Sequence, residues 1–224
     1  MEIAKNLLEI KKGLPAGVQL VAVSKTKPNA AILEAYEAGQ RVFGENKVQE
    51  LAQKYEELPK DIEWHFIGHL QSNKVKYMAP FVSLIHGVDS LKLLKTINKE
   101  AAKNKRTIRC LLQFHIAEES TKFGLSEEEA MEMLDSGEVQ ALENVEIAGV
   151  MGMATYTDDE NQIRKEFRVL HNIFSALKNR YFATSGSFRE ISMGMSDDYP
   201  IAMEEGSTMI RVGSKIFGER NYQH

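Results

Sequence analysis

Cysteine is almost missing from this sequence. Cys110 is the one example among 224 residues, so an internal disulfide is impossible. It lies in an apolar run, which reads as buried filler rather than a nucleophile. A reducing cytoplasm is the expected location. No apolar run reaches membrane-spanning length, and Met1 to Leu14 alternates charged and apolar residues without the apolar centre of a signal peptide. Basic excess is also lacking: the formal net charge is −4, which argues against a general nucleic-acid footprint. Metal motifs are missing too. His65, His69 and His86 lack ligand spacing, no H-E-x-x-H or Cys/His set occurs, and His115 and His171 carry no signal. No G-x-G-x-x-G follows the first strand-like run, which weakens a dinucleotide-binding fold.

What the sequence does contain is alternation. Strand-like runs occur at Val18–Lys25, Arg41–Gly44, Ile62–Ile67, Phe81–Ile85, Thr107–Phe114, Val145–Met151, Glu190–Met193 and Thr208–Val212. Helical patterns separate them. Lys27-Pro28-Asn29 starts a helix that Gly39 ends, and the next runs from Asn46 to Glu57. Others are Ser72 to Ala79, one capped by Asp89 or Ser90 with Leu91, Leu94, Ile97 and Ala101 inward, and one opened by the capping box Ser126-Glu127-Glu128-Glu129. Ile163, Phe167, Leu170, Phe174 and Leu177 line one face of a long helix from Asp158 to Arg180, and Asp197–Glu205 reads as the last. No linker or composition break interrupts residues 1–224. The pattern predicts a single-domain α/β protein, a (β/α)8 TIM barrel with an extra N-terminal helix. A doubly wound open sheet is the competing architecture.

In such a barrel the strands' C-terminal ends form the active face. Lys25 closes the first strand there, where a partly desolvated amine can lose its proton and attack a carbonyl. Gly44-Glu45-Asn46, Gly68-His69, His86-Gly87 and Gly149 with Gly152 fall at the same rim. The last two loops hold Ser192-Met193-Gly194-Met195-Ser196 and Gly213-Ser214, small donors suited to a phosphate. Asp197 and Asp198 would compete with that anion unless they point outward along their helix. Arg211, in the eighth strand, is placed to face a ring nitrogen or a carboxylate; an ion pair with a neighbouring glutamate is the plainer alternative. His65 reads as a packed or surface residue. A rim lysine with a phosphate cradle suits pyridoxal 5′-phosphate (PLP) or the sugar-phosphate substrate of a lysine-imine aldolase.

Several blocks in order carry a resemblance across nearly the whole chain. They are Ala22-Val23-Ser24-Lys25-Thr26-Lys27, Phe43-Gly44-Glu45-Asn46, Trp64 to Gln71, Ser192 to Asp197, Gly206 to Gly213 and Ile216 to Arg220. The sequence resembles the pyridoxal phosphate homeostasis protein family. The resemblance implies a barrel like the N-terminal domain of alanine racemase, with PLP as an internal aldimine on Lys25. It implies phosphate contacts from Ser196, Gly213 and Ser214, Arg211 near the pyridine nitrogen, and Asn46, His69, Ser192 and Met193 as further cofactor-site residues. Two places depart from the pattern: Gly87 stands where a serine is usual, and Gln113-Phe114-His115 where a valine and an asparagine are usual.

The function implied is PLP holding within intracellular PLP homeostasis, with PLP-requiring apoenzymes as partners, a monomeric or weakly dimeric state, and no catalytic residue. The alternatives are a PLP-dependent amino-acid racemase-like enzyme and a lysine-imine aldolase acting on a phosphorylated carbonyl substrate. Racemisation needs a second base, a tyrosine from a further domain in alanine racemases, whereas this chain stops soon after its eighth strand and Tyr222 falls on a terminal stretch.

Overall fold

Near-continuous apolar runs form strands when both faces of the sheet are covered, and here both are. The computed structural model describes residues 2–120 and 123–219. Arg220 and Tyr222 lie outside the described residues. The strands are β1 (Gln19–Val23), β2 (Val42–Glu45), β3 (Glu63–Phe66), β4 (Leu84–Val88), β5 (Ile108–Gln113), β6 (Val145–Met151), β7 (Glu190–Ser192) and β8 (Met209–Val212). They pair in sequence order, all parallel, and β8 pairs with β1 to close the barrel. The expected barrel is therefore the observed one, and the open sheet is excluded.

Alternate residues of the strands face opposite ways. Val21, Val42, Leu84, Leu111, Ala148, Met151 and Met209 fill the barrel interior. Leu20, Ala22, Phe43, Trp64, Ile85, Leu112 and Val150 belong to the larger layer between strands and helices. The helices supplying its other side are α1 (Glu2–Lys12), α2 (Asn29–Glu37), α3 (Val48–Glu57), α4 (Leu91–Lys103), α5 (Glu127–Asp135), α6 (Glu160–Tyr181), α7 (Tyr199–Glu204) and α8 (Ser214–Phe217). Among the described residues, no helix is long and apolar enough to cross a membrane.

Several boundaries differ from the sequence expectation. β1 ends at Val23, short of Lys25, because the chain turns at Thr26, whose φ is 65°. β4 starts at Leu84 rather than Phe81. The N–H groups of Phe81 and Val82 are taken by Met78 O in the turn closing the preceding segment, so pairing begins only at Ser83, which donates to Trp64 O at 2.9 Å. That preceding segment, Ser72–Tyr77, is 3₁₀ rather than α-helical. α7 starts at Tyr199, two residues late, with a proline in its first turn. The register shifts between Cys110 and Leu111 where β5 meets β6. Gly149 accommodates the approach of β7 with φ 149°, and a Cβ there would lie 1.9 Å from Glu190 O.

Candidate functional site

At the C-terminal ends of the strands lies a cavity of about 500 Å³, lined by Lys25, Asn46, His69, Ser196, Arg211, Gly213 and Ser214. Six elements or their loops supply these groups, which the sequence scatters over nearly two hundred positions and the barrel gathers at one rim. Lys25 is half-buried in the turn after β1. Two expected members stand apart from the wall. Met193 is fully buried in the outer hydrophobic layer, so its side chain faces away from the cavity. Ser192 is fully buried behind Arg211 and touches the site through it.

Arg211 is held by a polar chain that crosses the barrel interior. Its guanidinium donates to Ser192 Oγ and to Gly152 O at 3.2 Å. Ser192 Oγ lies 2.9 Å from His86 Nδ1, and His86 Nε2 lies 2.9 Å from His65 Nδ1. An arginine only donates, so Ser192 accepts from Arg211, and the Ser192, His86 and His65 side chains continue the chain by hydrogen bonds whose direction follows the ring tautomers. Burial lowers the His65 pKa to about 3 and pushes that of His86 well below its usual value, with nearby cationic charge adding to both. Both rings are neutral at neutral pH. Burial also pulls Arg211 down to about 10, against the opposing charge of Asp198, so it stays cationic. The expected alternative, a simple pair with a neighbouring glutamate, is not what holds it. His65 is buried here, not a surface residue.

The loop chemistry is close to the expectation, with one change. Gly213 N–H points at Ser196 Oγ, 3.3 Å away, so the small donors of the last two loops meet. Ser214 begins α8 at the cavity edge. Asp198 does not point outward: it is buried, its carboxylate accepts from Met195 N at 2.7 Å, and burial raises its pKa. Asp197 is exposed and borders the cavity. Sequence reasoning missed Gln113, Phe123 and Lys27 as wall residues. Phe123 stacks on His69 with centroids 4.3 Å apart, and Gln113 Nε2 donates to Phe123 O at 3.3 Å. The two departures from the family pattern prove to be neighbours: a Cβ on Gly87 would lie 3.1 Å from Gln113 Oε1 and 2.9 Å from Gly68 O. Among the described residues no cluster fit to hold a metal ion occurs.

A cavity with an amine, a buried cation and small hydrogen-bond donors suits an anionic carbonyl compound. Fold and site thus define a class, the alanine-racemase type of barrel: the family described as "Alanine racemase, N-terminal domain" matches residues 1–221. The alanine racemase of Bartonella henselae, solved with covalently bound pyridoxal phosphate, shares that fold at a TM-score of 0.71 and 14% identity, over 98% of this chain and 60% of its own. PipY of Synechococcus elongatus, solved without PLP, is 38% identical at a TM-score of 0.88, covering 96% of this chain and all of its own; its PLP-bound form superposes at 0.86. A pyridoxal phosphate homeostasis protein of Aquifex aeolicus is 40% identical over 205 residues, 91% of this chain and 88% of that protein. This chain belongs to the pyridoxal phosphate homeostasis protein family.

Proposed function

We propose that this protein holds PLP covalently at Lys25 and takes part in intracellular PLP homeostasis, with no strong catalysis of its own. The observation carrying the proposal is the convergence of a half-buried rim lysine, a buried guanidinium and small donors on one cavity of about 500 Å³. The names of its relatives and the PLP-bound form of PipY support it. When bound, PLP supplies an aldehyde electrophile for the lysine amine. Ser196, Gly213 and Ser214 would hold its phosphate, while Asn46 and His69 would line its ring. Arg211 would face the pyridine nitrogen, held there by Ser192. A cation at that place keeps the ring nitrogen unprotonated, which leaves a poor sink for electrons and favours storage over carbanion chemistry. The single barrel acts in the cytoplasm as a monomer or weak dimer and passes PLP to PLP-requiring apoenzymes.

Borohydride treatment of the PLP-loaded protein followed by peptide mapping tests this. The pyridoxyl mass increment is expected on Lys25, and Lys25→Ala should lose it while the cofactor-free variant still folds, since a rim lysine contributes little packing. An increment on another residue, or robust alanine racemisation by the loaded protein, would defeat the proposal.

A further inference from the structure

The turn that carries Lys25 is gripped from both sides by a charged cluster outside the cavity wall. Glu45, at the end of β2, and Lys54, on α3, are both buried. Lys54 Nζ lies 2.6 Å from Glu45 Oε1 and 2.7 Å from Glu50 Oε1. It also donates to Ser24 O at 2.8 Å, and Ser24 Oγ donates to Glu45 Oε1 at 2.8 Å. On the other side of Lys25, Thr26 N donates to Glu50 Oε1 at 2.6 Å. Thr26 has φ 65°, a conformation that a β-branched residue takes only when its surroundings impose it.

A buried ion pair gains little stability over apolar packing of the same volume, because desolvation offsets the attraction. Burial acts on Glu45 in that direction, raising its pKa against the opposing pull of Lys54. The second carboxylate oxygen, Oε2, is buried with no hydrogen-bond partner among the described residues. The cluster is thus poorly suited to stabilising the barrel and well suited to fixing one turn.

We infer that Glu45, Lys54 and Glu50 are positioning residues for Lys25. They hold the strained turn so that the amine projects into the cavity, and they set how fast it condenses with the cofactor aldehyde. In that condensation the lysine nitrogen bonds to the aldehyde carbon, and the carbonyl oxygen leaves as water with the two amine hydrogens. The inference rests on Lys25 being the attachment point.

Two probes separate positioning from general damage: PLP, and pyridoxine 5′-phosphate, which has an alcohol in place of the aldehyde and needs no lysine. Glu50→Ala should slow the appearance of the covalent absorption band about tenfold or more while pyridoxine 5′-phosphate affinity changes by less than about twofold. Lys54→Met should act likewise. Glu50→Gln keeps an acceptor for Thr26 N and should retain most of the rate. Adding Thr26→Gly to Glu50→Ala should recover the rate to within about threefold of the parent, because glycine takes a positive φ without strain. An unchanged rate in Glu50→Ala, or equal losses for both probes, overturns the inference. If Lys54→Met fails to fold, the half-buried Glu50 variants carry the test. A parent protein with no trappable link at Lys25 overturns the proposed function and this inference together, whereas a parent that links normally beside an equally fast Glu50→Ala overturns the inference alone.

Discussion

Gly149 shows how much one residue's backbone can decide. Its φ of 149° lies where side chains are rarely tolerated, and the nearest atom to a methyl placed there is a backbone oxygen, Glu190 O at 1.9 Å, which cannot swing away. Gly149→Ala should therefore cost about 3 kcal/mol or more, read as a lowered urea midpoint. A loss under about 1 kcal/mol would mean that β7 yields freely. Some site residues were legible in the sequence for a related reason. Barrel topology puts every strand's C-terminal end at one face, so Lys25, Asn46, His69, Ser196, Gly213 and Ser214 could be gathered by position in the chain. Their supports could not. Lys54 reads as an ordinary lysine of an amphipathic helix until β2 is folded against it. His65 and His86, on adjacent strands, meet only when the barrel curls their side chains inward.

Elements were legible where their signals are local. β6 runs from Val145 to Met151 as expected, because an apolar run there is bounded by turns. α5 begins where Ser126-Glu127-Glu128-Glu129 places it: Ser126 Oγ accepts from Glu129 N at 3.1 Å, and the Glu129 carboxylate accepts from Ser126 N at 3.4 Å. Ser126→Ala removes one of these bonds and should lower stability by about 1 kcal/mol. Equal urea midpoints for the two proteins would show that the acidic first turn suffices without the cap. β4 was harder to place. Its apolar run begins at Phe81, but the carbonyl of Met78 claims the first N–H groups, and hydropathy does not register that competition. The end of β1 is hidden in the same way: the run Val18–Lys25 carries past Val23, and nothing in Ser24-Lys25-Thr26 announces a positive φ.

The whole molecule carries two neutral histidines in its interior, with a definite consequence for acid stability. The unfolded chain takes up protons on them near pH 6.5, while folded His65 resists until about pH 3 and folded His86 also lies well below 6.5. Between those limits the unfolded state binds more protons, so stability falls as pH falls. Glu45 and Asp198, whose pKa values burial raises, act in the opposite sense. They are common to the parent and a His65→Gln variant, so they drop out of the difference between the two, which carries His65 and its smaller effect on His86. Urea titrations from pH 6 to 4 should show the variant losing about 1.4 kcal/mol per pH unit less than the parent. Identical slopes would mean that His65 is protonated in the native barrel.

Cys110 is fully enclosed in the barrel wall, and burial holds its thiol far above the ordinary ionisation range. An alkylating reagent in solution meets neither an open path nor a thiolate while the wall is shut. The protein thus carries a stopwatch of its own: the pace of its alkylation in native buffer counts how often β5 is laid bare. Any small molecule that favours the closed barrel will slow the count in proportion to its occupancy, with no dye or engineered label required.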